Sequence, residues 1–340
     1  MMGILRQSRR TFSLRSAAVA AAAAFTGLCG ATALPAFAQP AESQWPIRPV
    51  RMITGSVGGT SDIIARFTAA RLSDRWKQQV LVDNRAGLGG IIGSQIGAKA
   101  APDGYTLIVG QIGTHASANV LYKNLGYDQL RDFVPISLMS NSAIALVVNP
   151  AVPANNLKEF VALARAKPGM TYASAGGATS SQLSGELFNL VTGAKLMHVP
   201  YKGSGFALPA VMSGETQSAF LASSTVATQV RGGKLRAIAV LSKERFAGTP
   251  DIPSTTEQGV PGLDANVWFG MFAPAGMSRA LVTRINRDIV AVLGTPEARE
   301  ALLAAGAEPT PSTPEAFAAF HRSEIAKWTK VIQQAGIKVE

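Results

Sequence analysis

Apolar residues recur along this chain in short blocks that alternate with longer amphipathic segments. The runs "VRMIT" (50–54), "QVLVDN" (79–84) and "YTLIVG" (105–110) enclose helix-patterned stretches over 62–77 and 89–100. That alternation predicts βαβ units and a parallel sheet. In the first helix Ile63, Phe67 and Ala70 fall at i, i+4 and i+7 and mark its expected apolar face.

The block at 135–150 then splits into two apolar halves at Ser140 to Ser142, which reads as a crossing between lobes. A second series follows, with strands at 170–175, 195–201, 216–223 and 235–242 and helices at 156–167, 180–192 and 204–213. "VWFGMFAP" (267–274) has the length and glycine content of a return crossing, and helices over 278–293, 296–305 and 314–335 are each introduced by Ser, Thr or Pro. The expected architecture is α/β in two lobes, 39–141 with 267–340 against 142–266, each a mostly parallel sheet flanked by helices.

One piece of syntax occurs in both lobes. "ITGSVGGTSDIIARF" (53–67) and "MTYASAGGATSSQLSGELF" (170–188) each run strand, small-residue loop, helix. A helix start presents unpartnered N–H groups and partial positive charge, and glycine lets a ligand approach the backbone, so such a junction is an anion site. Ser61, Asp62 and Thr179 to Ser181 can cap these helices or donate hydroxyls. In open α/β sheets such loops lie at the carboxyl ends of the strands, where ligands bind. Charge-assisted hydrogen bonds contribute ~1.5 to 3 kcal/mol each, and micromolar binding needs about 8 kcal/mol net. A few backbone donors from each lobe suffice to hold a carboxylate, and no arginine is required.

Composition narrows the setting. Residues 1–38 carry Arg6, Arg9, Arg10 and Arg15 with no acidic residue, then an alanine-rich stretch and "AFA" at 36–38. This reads as an export signal, and the paired arginines favour the twin-arginine route over Sec. Cys29, the sole cysteine, lies inside it, so the mature chain is expected to have no disulfide. Without the signal, 28 basic residues face 21 acidic ones, about +7, a field that attracts anions. The basic residues are scattered and not interleaved with aromatics, which argues against nucleic acid. His115, His198 and His321 are far apart in sequence; neither "HExxH" nor "GxSxG" occurs, and "GLGGIIG" (87–93) has the wrong spacing for a dinucleotide fingerprint. No metal and no cofactor is expected. The competing expectation is a secreted hydrolase using Ser174, Thr179 or Ser180.

The blocks "WPIRPVRMITGSVGGTSDIIAR", "APDGYTLIVG", "VPYKGS" and "WFGMFAP" resemble the Bug-type extracytoplasmic solute receptors of tripartite tricarboxylate transporters, from about Trp45 to the C-terminus. The resemblance implies a periplasmic binding protein of the type II, venus-flytrap fold. Such a receptor is monomeric, closes on a small carboxylate and delivers it to membrane transporter subunits. It implies ligand contacts from Gly58, Gly59, Thr60, Ser61 and Asp62 in one lobe and Ala178, Thr179 and Ser180 in the other, through backbone amides and ordered water. Thr114 and His115 are expected to reach the far end of the ligand, with Ser223 and Trp268 as weaker candidates. The chain departs from the family at Gly55, Ser56 and Val57, where an aromatic and prolines are usual, and at Gln182, where histidine is common.

Overall fold

The structure, a computed structural model, describes residues 44–55, 60–85, 87–176, 179–201 and 203–337. The expected export signal and the loop residues Gly58, Gly59, Ala178 and Lys202 lie outside the described residues. The strands are β1 (Val50–Thr54), β2 (Val80–Asn84), β3 (Thr106–Gln111), β4 (Phe133–Ser142), β5 (Ile144–Val148), β6 (Thr171–Ser174), β7 (Met197–Pro200), β8 (Ser218–Ala222), β9 (Arg236–Val240), β10 (Val267–Pro274) and β11 (Glu308–Pro309). They form two sheets, ordered β11-β4-β10-β3-β1-β2 and β7-β6-β8-β5-β9.

In the first sheet β1 pairs in parallel with β2 and β3, and β10 returns antiparallel between β3 and β4. In the second, β6 is parallel to β7 and β8, while β5 runs against β8 and β9. Strand direction is therefore mostly shared within each sheet. Helices cover both faces of the central strands, which is why β1 and β5 are near-continuous apolar runs rather than alternating ones.

The helices are α1 (Thr60–Trp76), α2 (Ile91–Ala98), α3 (Ile112–His115), α4 (Ala118–Leu121), α5 (Leu157–Ala166), α6 (Ser180–Thr192), α7 (Ser204–Ser213), α8 (Ser223–Arg231), α9 (Arg279–Leu293), α10 (Pro296–Ala304) and α11 (Pro314–Ala335). Asn156, Thr179, Ser278, Thr295 and Thr313 each cap a helix, their side chains accepting from an amide in the first turn; such a cap contributes about 1 kcal/mol. α11 carries Trp328, Val331 and Ile332 into the same core cluster as Leu183, Leu187 and Phe188 of α6, so the C-terminal helix packs against both halves of the fold.

Three expectations change. The buried stripe of α1 is Ile64, Ala65, Thr68, Ala69, Leu72 and Trp76, not Ile63, Phe67 and Ala70. Small residues in that stripe let the helix lie close on the sheet, and Phe67 instead sits beneath the Arg71 guanidinium, 3.5 Å from its ring centre. The crossing is shorter than the serine-rich break suggested: Ser140 and Ser142 pair inside β4 with Phe269 and Val267, leaving only Ala143 before β5. Residues 223–231, read as the end of a strand and a loop, form α8.

Register fixes where the loops lie. β4 runs parallel to β3, both against β10, and ends at the crossing. β5 leaves the crossing with Ile144 opposite Ala222, the last residue of β8. The carboxyl edges of β1 and β3 in one sheet, and of β6 and β8 in the other, are thus both turned toward Ala143.

Candidate functional site

At the carboxyl edge of the first sheet, Thr54 ends β1 and its Oγ1 donates to Ser61 Oγ at 3.1 Å, tying the strand to the first turn of α1. Both residues are buried. Beside them the chain after β2 comes in backbone against backbone: a Cβ on Gly55 would stand 2.4 Å from the Gly90 Cα, and Gly90 itself has φ +102°. After β3, Gln111 and Thr114 close a reciprocal cap on α3, the Gln111 amide donating to Thr114 Oγ1 at 3.2 Å. Thr54, Gly55, Ser61, Gly90, Ser94, Gln111 and Thr114 line a notch of about 10 Å³, near the room one water molecule needs.

Asp62 lies next to this notch with its charge already compensated. Arg66 Nε donates to its Oδ2 at 3.1 Å and Asn84 Nδ2 to its Oδ1 at 2.7 Å, while Arg66 Nη2 donates to Asn84 Oδ1 at 2.8 Å. The triangle lowers the repulsion that a bare carboxylate would exert on an anion nearby.

The second sheet repeats the construction. Ser174 ends β6, and the Ala175 amide donates to Ser181 Oγ at 3.2 Å. Ser181, like Ser61, is the second residue of its helix and is buried; its hydroxyl also donates to the Phe220 carbonyl. Thr179 caps α6 and donates to the Gly176 carbonyl at 2.7 Å. Ser180 is half-buried at the start of α6, and Thr60 is half-buried at the start of α1. Ser174 Oγ also lies 2.6 Å from His198 Nε2.

Ser223 belongs to the same edge. Its amide donates to the Ala143 carbonyl at 2.8 Å, and its fully buried hydroxyl has no protein partner among the described residues.

His115 and Trp268 are placed in the core. The His115 ring is fully buried and stacks on Phe272 with centroids 4.2 Å apart; Thr114 Oγ1 lies 2.9 Å from its Nδ1, and His321 Nε2 donates to its carbonyl at 2.5 Å. Burial holds its imidazole well below the usual value, and the neighbouring His321 adds to this. Trp268 is fully buried and its indole donates to Glu324 Oε2 at 2.9 Å, beside Trp328, which donates to the same oxygen at 2.8 Å. Thr114 therefore faces the notch while His115 supports it from behind.

A roomier cavity, about 280 Å³, lies where β4, β11 and the segments flanking the return crossing meet, lined by Asn141, Lys243, Arg245, Asp264, Asn266 and Glu308 among others. Two of its charges are committed to ion pairs, Arg245 with Glu257 and Glu308 with Arg299. The smaller notch is lined wholly by the first sheet and its loops, at the start of α1 and beside the close approach of Gly55 and Gly90.

The family described as the tripartite tricarboxylate transporter family receptor matches residues 64–337. The chain belongs to this family. It is 35% identical to protein BugT of Bordetella pertussis over 299 residues, 87% of this chain and 92% of that one. Its fold matches an R. palustris protein solved with adipate, at 33% identity and TM-score 0.75, covering 87% of this chain and all of the other. MatC from Rhodopseudomonas palustris, solved with bound malate, matches at 30% identity and TM-score 0.71, over 85% of this chain and all of MatC. The two sheets are those of a periplasmic binding protein.

Gly90 and Gln111 are not among the contacts the sequence marks, and His198 is marked there only as one of three histidines distant in sequence. "GLGG" reads as a turn with close helix packing as well as a nucleotide motif of the wrong spacing, and two adjacent glycines after an edge strand signal that close backbone approach. His198 was open to discovery from register, since β6 and β7 run parallel with Tyr172 opposite His198.

Proposed function

We propose that this receptor binds a small carboxylate between the two loop systems, in the periplasm, and delivers it to the membrane subunits of a tripartite tricarboxylate-type transporter. The observation that carries this reading is the repeated junction, Thr54–Ser61 in one sheet and Ala175–Ser181 in the other, with both edges turned to the same crossing. Residues 39–141 with 267–340 act as one lobe and 142–266 as the other, the protein working as a monomer that closes on its ligand. Gly58, Gly59, Thr60 and Ser61 meet the carboxylate from one side and Ala178, Thr179 and Ser180 from the other. The one-water notch beside Thr114 supports a bridging water, and the orphan Ser223 hydroxyl supports a further donor at the crossing. Asp62 acts through Arg66 and Asn84 rather than on the ligand. The adipate-bound and malate-bound relatives support carboxylates as the ligand class. Export by the twin-arginine route through residues 1–38 completes the proposal.

The test is a thermal-shift and calorimetric screen of di-, tri- and aromatic carboxylates on the purified mature chain. A ligand-dependent rise in melting temperature is expected. Absence of both shift and heat across the panel refutes the reading.

One observation favours a hydrolase, the 2.6 Å contact between Ser174 and His198. Ser174 is fully buried and also engages both the amide and the carbonyl of Gly176, which leaves its oxygen no approach to a substrate carbonyl. The non-enzymatic reading is the stronger one. Turnover of ester or amide substrates abolished by Ser174→Ala would reverse that order.

A further inference from the structure

The contact between Ser174 and His198 has a use other than catalysis. We propose that His198 is a positioning residue of the second loop: acting through Ser174, it sets the hydrogen-bonding of Gly176 and strengthens the grip on a bound anion as pH falls. This rests on the carboxylate reading above and deepens it.

The geometry is specific. β6 and β7 pair in parallel with Tyr172 opposite His198, and the imidazole stacks on the Tyr172 ring at 5.1 Å and 27°. Its Nε2 reaches diagonally to Ser174 Oγ, on the same face of β6 two residues on. Ser174 Oγ in turn lies 3.1 Å from both the amide and the carbonyl oxygen of Gly176. Gly176 has φ +129° and opens the small-residue loop, and its carbonyl is also held by Thr179.

A serine hydroxyl has one proton to donate. With neutral His198 accepting at Nε2, that proton goes to the imidazole, and Oγ accepts from the Gly176 amide. When His198 takes a proton from solvent, Nε2–H donates to Oγ and the hydroxyl proton turns to the Gly176 carbonyl. Protonation thus rewires the first residue pair of the loop and places a positive charge one side chain away from it.

Among the described residues the charged state has no carboxylate partner. Tyr172 faces the imidazole from β6, and its hydroxyl donates to Glu186 Oε1 of α6 at 2.7 Å, which engages that carboxylate elsewhere. Among the described residues no carboxylate forms an ion pair with His198, and burial alone lowers its pKa. An anion in the loop is the counter-charge the imidazolium lacks. By linkage its binding raises the His198 pKa and is accompanied by proton uptake.

Two measurements test this. Calorimetry with adipate, malate, citrate and benzoate at pH 8.0, 7.0 and 6.0 is expected to give wild-type affinity rising about threefold to tenfold toward pH 6.0. His198→Ala loses about tenfold at pH 8.0 and the pH response with it, while His198→Gln, whose amide can still accept from Ser174, recovers most of the loss at pH 8.0 but not the response. A flat wild-type profile, or a response retained in His198→Gln, overturns the proposal. Independently of any ligand, amide exchange at Gly176 is expected to quicken about tenfold in Ser174→Ala and His198→Ala; unchanged exchange overturns the positioning role. Should the wild type bind none of the four acids, the receptor reading falls, and the exchange result alone still decides whether His198 orders the loop.

Discussion

Gly55 and Gly90 meet backbone to backbone at the carboxyl edge of the first sheet, so close that a Cβ on the first would lie 2.4 Å from the Cα of the second. Neither position tolerates a side chain without moving a loop. Gly55→Ala is expected to cost about 1–3 kcal/mol of stability and at least about tenfold in carboxylate affinity, about 1.4 kcal/mol of binding. Gly113→Ala is the control: nothing lies within 4 Å of its Cβ position, and its stability should stay within ~0.5 kcal/mol of wild type. Urea denaturation and calorimetry read both effects.

Asp62 offers a contrast. Its oxygens accept from Arg66 and Asn84, so Asp62→Ala is expected to lower stability by about 1–3 kcal/mol and to weaken ligand binding less than Gly55→Ala does. A loss of affinity with stability intact would mean that the carboxylate touches the ligand after all.

Trp268 belongs to the core. Trp268→Phe removes one of the two indole donors to buried Glu324 and should cost about 1.5–3 kcal/mol in unfolding experiments, with little change in affinity. Glu324→Ala strands both indoles and opens a gap beside Lys327, so it should cost more.

His115 and His321 predict the response of stability to acid. Burial is the leading cause holding both below the usual imidazole value. The unfolded chain therefore takes up protons near pH 6.5, at a higher pH than the folded chain does. The contribution of these two groups to stability is fully present above that pH and falls below it, by up to about 1.4 kcal/mol per pH unit for each histidine held neutral. Asp264, raised by burial, works in the opposite sense at lower pH. Urea melts at pH 7.5 and 5.5 should show the loss, and His321→Gln should shrink it.

Much of this was open to reading from residue order. β1, α6, α7, β10 and α11 fall at the bounds their patterns predict, because a strand of β-branched residues or a helix opened by Thr or Pro carries its signal locally. α8 was missed because Ala222 supplies no side-chain cap and Thr225 and Val226 favour strand locally. The paired loops were legible for the same reason the helices were, since small residues between strand and helix are a local signature. Where His115 and Trp268 point was not, because their surroundings come from Phe272, His321 and Glu324, distant in sequence. Ser174 and His198 were each visible, but only pairing of two strands joins them.

The passage from β4 to β5 through Ala143 alone limits how one sheet can move on the other. One residue supplies two soft torsions and no slack, so the end of β4 and the start of β5 are held at a nearly fixed separation. The Ser223 amide grips the Ala143 carbonyl, which fastens the start of α8 to that one residue. The first turn of α8 and the carboxyl end of β8, opposite Ile144, are thereby referred to the same main-chain point at which β4 ends.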